Sequence, residues 1–496
     1  MAPRLKSHIQ MWRTVINKKN LNQNFKEFFN NFRNIFFKLR SYLRKSLASL
    51  FLSLGMTIYN RKLSRFPIEN LRRIPDLNLW SNKNNKKLFQ IVKYDNYAAK
   101  LWLEGHCKKS IQLQKEIHFE YYDYLNLDIS THFPNNMSAN WTYKIGHFYF
   151  LGIFSAAQKM KIVPSKKRVL FQEPGVSNLN ILDSASSHFQ IVRSPLGIDW
   201  SNTPALWHLY ERLNMIKIEN GFIHIYELAE QVMDQRFKSK ETPRPFFHLD
   251  ENYVNNSRQV LSKLGLRKNK KFIGLHVRNI GGKYFLRNQS IETYLPAIKF
   301  IISQGFQVIR IGNPSDDVMP PLDGLIDLTK KQNIANKLDA YILANCEFFI
   351  GTNSGPASIP QIFAIPTLFT NMTSLGKNIL TSIPGSKYIP KTFMNSKNEK
   401  LSLSQVLSHP VTGFSELDSY NMNKYGFGYQ NNSADDILLG VREMFDFIYD
   451  SNLSSKTSKF VNALDQINKE FEPIGRGIYS EAYLEKNEDW FLKLNS

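Results

Sequence analysis

Hydrophobic positions along this chain repeat with one period near its start and with another beyond about residue 139. Read at the helical period, Phe25, Phe28, Phe29, Phe32, Phe36, Leu39, Leu43, Leu47, Leu50 and Leu54 share an arc about 100° wide, which predicts an amphipathic helix. Lys26, Arg33, Arg40 and Arg44 lie along one flank of that arc, with Lys38 and Lys45 behind. A second helical region is predicted from Lys93 to Tyr124, where Tyr97–Gly105 and Ser110–Ile117 read as the two helices of a hairpin turning at Gly105. From about Ala139, short apolar runs alternate with helical patterns, the signature of parallel sheets wrapped by helices.

In the first α/β stretch, Thr142–Ile145, Arg168–Gln172 and Phe189–Arg193 are predicted strands, with a helix to about Lys161 and a helix-rich stretch from Leu206 to Arg236. The second stretch is denser. Strands are predicted at Lys271–Arg278, Phe306–Ile311, Gly324–Leu328, Glu347–Ile350 and Pro366–Phe369, separated by helices at Ile291–Ser303, Ala335–Ala344 and Pro356–Phe363. Strands alternating with helices in this way make a Rossmann-like unit. Ser433-Ala-Asp-Asp436 is a capping-box pattern opening a helix to about Asp450, which is expected to cross back to the first α/β stretch. The helical hairpin looks like one tetratricopeptide-type unit; a single copy lacks stacked neighbours and is expected to dock on the body. The organisation that follows is a basic helical arm over 1–73, a helical hairpin region over 74–138, an amino-terminal Rossmann-like lobe over 139–265, a carboxyl-terminal one over 266–450, and a helical tail over 451–496.

Composition sharpens this picture. With 496 residues the chain exceeds what one ordinary core serves, and 36 Phe and 22 Tyr provide enough apolar surface to exclude disorder over most of its length. The formal charge is +22, but 16 Lys and Arg against only Glu27 and Glu69 place about +14 of it before residue 74. Charge confined to an arm argues against a nucleic-acid groove spread over the fold. An aromatic stripe rimmed by cations over residues 22–54 suits an anionic membrane surface, or else packs on the body or on a second copy of the chain. The longest apolar stretch, Leu47–Tyr59, is short of the roughly 20 residues that span a bilayer, and no secretory leader is expected. Cys107 and Cys346 stand alone, which points to a reducing compartment: the cytoplasm, with the inner face of the cytoplasmic membrane as a further possibility.

Candidate chemistry gathers where predicted strands end. Gly351-Thr-Asn-Ser-Gly-Pro356 turns a buried strand into a helix; Ser354 is placed to cap that helix, and Gly355 lets an anion approach free amides. His276-Val-Arg278 closes the first strand of the second lobe, and the planar fork of Arg278 matches a phosphate. Gly281-Gly282 follows as a loop, then Arg287-Asn288 just before the next helix. His276 reads equally well as a satisfied core residue. No Asp-x-Asp pair occurs that would hold a divalent metal on a diphosphate.

These segments carry a resemblance. Ile273-Gly-Leu-His-Val-Arg278, Arg287-Asn-Gln-Ser-Ile-Glu-Thr-Tyr294, Val308-Ile-Arg-Ile-Gly-Asn-Pro-Ser315, Met319-Pro-Pro-Leu322 and Phe348-Phe-Ile-Gly-Thr-Asn-Ser-Gly355 look like a largely uncharacterised bacterial glycosyltransferase family, densely from Lys271 to Asn371. Ile478-Tyr-Ser-Glu-Ala-Tyr-Leu484 and Trp490 resemble that family's tail. More distantly, the His-x-Arg strand is similar to that of α-1,6- and protein O-fucosyltransferases, and the Ser-Gly-Pro turn to that of lipopolysaccharide heptosyltransferases. The resemblance implies a two-lobed GT-B fold, with Arg278, Ser354 and Gly355 on the donor's diphosphate; His276, Arg287, Asn288, Thr352 and Asn353 are this chain's further donor-site candidates. Asn279 stands where fucosyltransferases carry an acid, and Asn313 where the family is expected to carry Asp, so a carboxylate for ribose or sugar is missing.

The expected activity is transfer of a sugar from a nucleotide-sugar donor to a cell-surface glycan or lipid-linked acceptor, with no metal or other cofactor and no nucleic-acid partner. An inverting reaction needs a base from the amino-terminal lobe, and His147 or Glu173 is placed to accept the acceptor hydroxyl's proton. A non-catalytic nucleotide-sugar or glycan-binding relic of such an enzyme is the alternative.

Overall fold

Apolar runs without alternation fold as strands buried on both faces, and such strands need helices above and below them. The computed structural model describes residues 94, 97–98, 101, 107–124, 136–137, 145–164, 168–172, 177–193, 215–218, 221–238, 244–279, 285–313, 317, 319–373, 383–402, 405, 426–449 and 479–489. The predicted arm and Glu173 lie outside these residues, as does most of the predicted first helix of the hairpin. The second helix of the hairpin is α1 (Cys107–Tyr124), whose Ser110 Oγ donates to the Ala98 carbonyl at 2.6 Å.

The first α/β layer is a parallel sheet of β1 (Asn136–Met137), β2 (Arg168–Gln172) and β3 (Phe189–Arg193), with α2 (Phe148–Lys159) and α3 (Leu179–Ser184) in the connections. Of the predicted strand Thr142–Ile145 only Ile145 lies among the described residues. Asn136 and Met137 pair with β2, and Ile145 opens one 3₁₀ turn, Ile145–His147. Ten consecutive residues of α2, Phe148 to Ala157, are buried, so this helix is apolar all round and lies inside the molecule. Its Gly152 meets Ile362 and Phe246 so closely that a Cβ would stand 2.5 Å from Ile362 Cγ2.

The stretch expected to be helix-rich up to Arg236 instead holds an antiparallel hairpin, β4 (Met215–Ile218) and β5 (Gly221–His224), before α4 (Ile225–Lys238). In the sequence Asn220 and Gly221 are turn-favouring residues that stand where the runs Met215–Ile218 and Gly221–His224 meet. After α5 (Glu251–Lys263) comes the main sheet. It comprises β6 (Phe272–His276), β7 (Gln307–Ile311), β8 (Leu325–Asp327), β9 (Phe349–Thr352), β10 (Thr367–Met372) and β11 (Lys387–Pro390), all parallel. α6 (Leu295–Ser303), α7 (Gln332–Asn345) and the single turn α8 (Gly355–Ser358) connect them.

Strand order is β8-β7-β6-β9-β10-β11. Counted within this sheet, that is 3-2-1-4-5-6, the order of doubly wound nucleotide-binding sheets, and it reverses direction between β6 and β9. The α/β class read from the alternation is the class the chain adopts. A small antiparallel pair, β12 (Thr392–Met394) with β13 (Gly428–Gln430), follows the last strand.

The capping box forms as its sequence requires. The Ser433 amide donates to Asp436 Oδ2 at 2.8 Å and the Asp436 amide to Ser433 Oγ at 3.2 Å, opening α9 (Ala434–Tyr449). α9 does not cross back to the first sheet. Its buried stripe of Ile437, Val441, Met444 and Phe445 lies on the main sheet, where Phe445 packs edge-on against Phe300, Phe306 and Phe348. α10 (Glu481–Lys486) closes against α9. One continuous apolar cluster runs from α2 through the main sheet to α10. Among the described residues no helix is long and apolar enough to cross a membrane.

Candidate active site

In an open parallel sheet, ligands bind outside the carboxyl ends of the strands, at the point where strand order reverses. Here that point lies between β6 and β9, and each of these strands delivers one of the motifs singled out from the sequence. His276 ends β6 and is buried; its Nδ1 shares a 2.9 Å hydrogen bond with Ser354 Oγ. Two residues on, the Arg278 amide donates to Thr352 Oγ1 at 3.2 Å, and Thr352 is wholly buried at the end of β9. The two turns are thus stitched together across the crevice. Arg278 itself is half-buried, as are Asn353, Ser354 and Gly355.

Ser354 departs from its expected use. It has the extended backbone of a helix cap (φ −147°, ψ 158°), yet its hydroxyl makes no cap bond and is engaged by His276 and by the Thr352 carbonyl at 3.2 Å. α8 is also only four residues long. Too few aligned peptides follow within α8 for a sizeable dipole. Asn353 Nδ2 donates to Thr373 Oγ1 at 2.8 Å, which turns its side chain toward the end of β10.

Arg287 ends a 3₁₀ turn, Phe285–Arg287, and Asn288 follows it; both are half-buried. Their segment is tied to the crevice through Gln289, whose amide donates to the Arg278 carbonyl at 2.9 Å. Beneath it lies a buried polar frame that the sequence reading did not single out. Tyr294 OH and Thr370 Oγ1 are 2.6 Å apart, and Thr370 Oγ1 donates to the Gly351 carbonyl at 3.3 Å. Asn371 and Asn432 exchange amide-to-side-chain bonds, the Asn432 amide donating to Asn371 Oδ1 at 2.8 Å and the Asn371 amide to Asn432 Oδ1 at 2.5 Å. Burial pushes the Tyr294 phenol up to about 12, so it stays neutral and serves as a fixed hydrogen-bonding post.

A carboxylate does reach this sheet edge. Asn313 is exposed, but Asp317, four residues later, accepts from Asn279 Nδ2 at 2.5 Å, and its carbonyl accepts from Arg310 Nη1 at 2.6 Å. Arg310 is fully buried and pairs with Asp327 at 2.9 Å, which ties β7 to β8, while the Asn279–Asp317 bond fastens the loops after β6 and β7 to one another. Spacing gives no warning of this: Asp317 sits outside the Gly-Asn-Pro-Ser segment where a carboxylate is expected.

His147 comes to the same place from the first layer. The turn Ile145–His147 lies directly on the Gly355 turn, with the two glycines backbone to backbone: a Cβ on Gly146 would stand 2.7 Å from Gly355 Cα, and one on Gly355 would stand 2.9 Å from the Gly146 nitrogen. His147 is half-buried, with its ring 6.2 Å from that of Phe150. Glu173 follows β2 and is outside the described residues. Among the described residues no group of three or more His, Cys, Asp or Glu side chains is gathered to hold a metal ion.

Because backbone faces backbone at Gly146, an added methyl has no side chain to push aside. Gly146→Ala is expected to cost about 1–3 kcal/mol in overpacking. It should displace the His147 turn from the β6–β9 crevice while leaving the crevice's own hydrogen bonds intact. Thermal unfolding and nucleotide binding, measured together, should show lowered stability with unchanged affinity; unchanged stability would contradict the contact.

No protein-family model and no curated protein matches the chain. It is similar in fold to solved structures of glycosyltransferases. Escherichia coli ADP-heptose lipopolysaccharide heptosyltransferase II is 9% identical, over 61% of this chain and 96% of that one, with a TM-score of 0.36. A family 9 glycosyl transferase from Veillonella parvula is 11% identical over 48% and 66%, with a TM-score of 0.23. E. coli heptosyltransferase WaaC with ADP is 12% identical over 57% and 94%, with a TM-score of 0.25.

Proposed function

We propose that the chain is a GT-B glycosyltransferase that binds a nucleotide-sugar at the β6–β9 crevice and transfers the sugar without a metal ion. The observation that carries this reading is the convergence of Arg278, His276 and the Gly351–Pro356 turn at the reversal point of a 3-2-1-4-5-6 sheet, with His147 brought against that turn from a second α/β layer. The main sheet is then the donor lobe and the first layer the acceptor side.

In this mechanism His147 takes the proton of the acceptor hydroxyl as its oxygen attacks the anomeric carbon. The bond from that carbon to the diphosphate oxygen breaks, and the charge it leaves on the diphosphate is met by Arg278 and the amides of the Ser354-Gly355 turn. Arg287 and Asn288 flank the donor on the segment anchored to Arg278. A cell-surface glycan or lipid-linked sugar is the acceptor class, and the cationic aromatic arm over residues 22–54 supports work beside an anionic membrane in the cytoplasm.

The test is thermal unfolding of the full chain with a panel of nucleoside diphosphates and nucleotide-sugars. A ligand present at a hundredfold its Kd should stabilise by about 2.7 kcal/mol, and the nucleotide-sugar that does so should be consumed equally well in chelator. If none of the panel shifts unfolding, the reading is wrong. If binding occurs without turnover of any sugar, the chain is a binding protein.

A further inference from the structure

Lys391 is a lysine with no exposed surface, placed just beyond the carboxyl end of β11. Its Nζ donates to the Asn288 carbonyl at 3.3 Å and to Asn431 Oδ1, and it lies 4.7 Å from the centroid of the Tyr429 ring. None of these partners is a carboxylate. Burial alone pulls the ammonium down to about 7, and in either protonation state the nitrogen keeps N–H donors for both acceptors.

The peptide unit that Lys391 holds has a second engagement at its other end. Asn288 C=O and Gln289 N–H belong to the same planar amide, and that N–H donates to the Arg278 carbonyl at 2.9 Å. A donor on the carbonyl side polarises the amide and strengthens the bond it makes on the N–H side. The Arg278 amide in turn donates to Thr352. A single peptide group therefore connects the buried lysine to the main chain of the arginine at the crevice.

We infer that Lys391 is a positioning residue for the donor site: by gripping the Asn288–Gln289 peptide it fixes the backbone of Arg278, and so the direction in which the guanidinium meets a diphosphate. This rests on the reading of the crevice given above, and deepens it. It also gives a purpose to a lysine that pairs with no carboxylate among the described residues. A lysine kept only for stability would be better replaced by an apolar residue of its own volume, since its burial is costly.

The experiment combines a double-mutant cycle with amide hydrogen exchange on the full chain, using ADP, UDP and GDP as probes in calorimetry. Lys391→Met should weaken the best-bound nucleotide about tenfold. In an Arg278→Ala background the same change should have no further effect, because the route through Arg278 is gone. The Gln289 amide should exchange about tenfold faster in Lys391→Met, while the amides of β6 and β9 keep their protection. Lys391→Gln, which keeps a donor, serves the same cycle if the methionine variant does not fold. Additive losses in the cycle, or an unchanged Gln289 amide, would overturn the inference. If the wild-type chain binds none of the three nucleotides, the reading of the crevice falls, and the exchange of Gln289 alone decides whether Lys391 fixes Arg278.

Discussion

Arg278→Ala is expected to lower the rate of sugar transfer about 100- to 1,000-fold and to remove most nucleotide affinity. The reason lies in the division of labour within the residue. Its main chain is structural, donating to Thr352 and accepting from Gln289, and neither bond needs the side chain. In the proposed mechanism the half-buried guanidinium meets the charge that develops on the departing diphosphate. Unfolding of Arg278→Ala should therefore stay close to wild type while binding collapses, as titration of the best nucleotide into both proteins would show. Arg278→Lys should recover only part of the loss, because an ammonium cannot present two parallel donors to a phosphate. A fully active Arg278→Ala enzyme would remove the diphosphate site from this crevice.

His147→Ala separates chemistry from binding in the opposite way. A general base contributes about 100- to 10,000-fold, so turnover should fall by that order while nucleotide affinity is untouched. The proposed donor site is built from β6, β9 and the segment at Arg287, whereas His147 ends the turn that leads into α2. Its backbone is helical and its side chain makes no cap bond, so the substitution should not unsettle α2. Single-turnover assays at saturating donor would measure the loss directly. Wild-type turnover in a folded His147→Ala protein would exclude it as the base and leave Glu173 as the other sequence-based choice.

Much of the main sheet is visible in the amino acids because its strands are buried on both faces. Phe272–His276, Gln307–Ile311 and Phe349–Thr352 are covered throughout, so their runs are mostly apolar without strict alternation, Gln307 and Arg310 being buried exceptions, and they stand out from the helices between them. Strands that owe their place to partners rather than to composition are not visible in this way. Lys387–Pro390 is short, begins with lysine and ends with proline, and is a strand because β10 and the tail flank it. Asn136–Met137 is two residues long and set by β2. The site divides along the same line. His276, Arg278 and the Gly351–Pro356 turn announce themselves by residue type at a strand end. Lys391, Asn371 and Asn432 look like ordinary loop and strand-end residues until the fold buries them, Asn371 against Asn432 and Lys391 against Asn288 and Asn431. The hydroxyl of Ser354 shows the limit of local reasoning: its position is that of a cap, but a histidine on the neighbouring strand takes it instead.

The tail gives the main sheet an order of assembly. Tyr479 pairs in parallel with Tyr388 on the outer edge of β11, and the Ser480 amide donates to the Tyr388 carbonyl at 2.9 Å. The two tyrosine rings meet at right angles with centroids 4.8 Å apart, and Tyr483 is buried beside them. Glu443 on α9 accepts from both Ser480 Oγ and the Glu481 amide, and pairs with Lys387 at 2.8 Å. During synthesis, residues 479–489 leave the ribosome some 90 residues after β11. Until they arrive, the backbone of β11 offers unpaired hydrogen-bonding groups to any passing strand, and Tyr388 has no cover. The nascent chain thus carries a complete set of crevice residues on a sheet whose last edge is still open, and translation of the tail is the event that seals it.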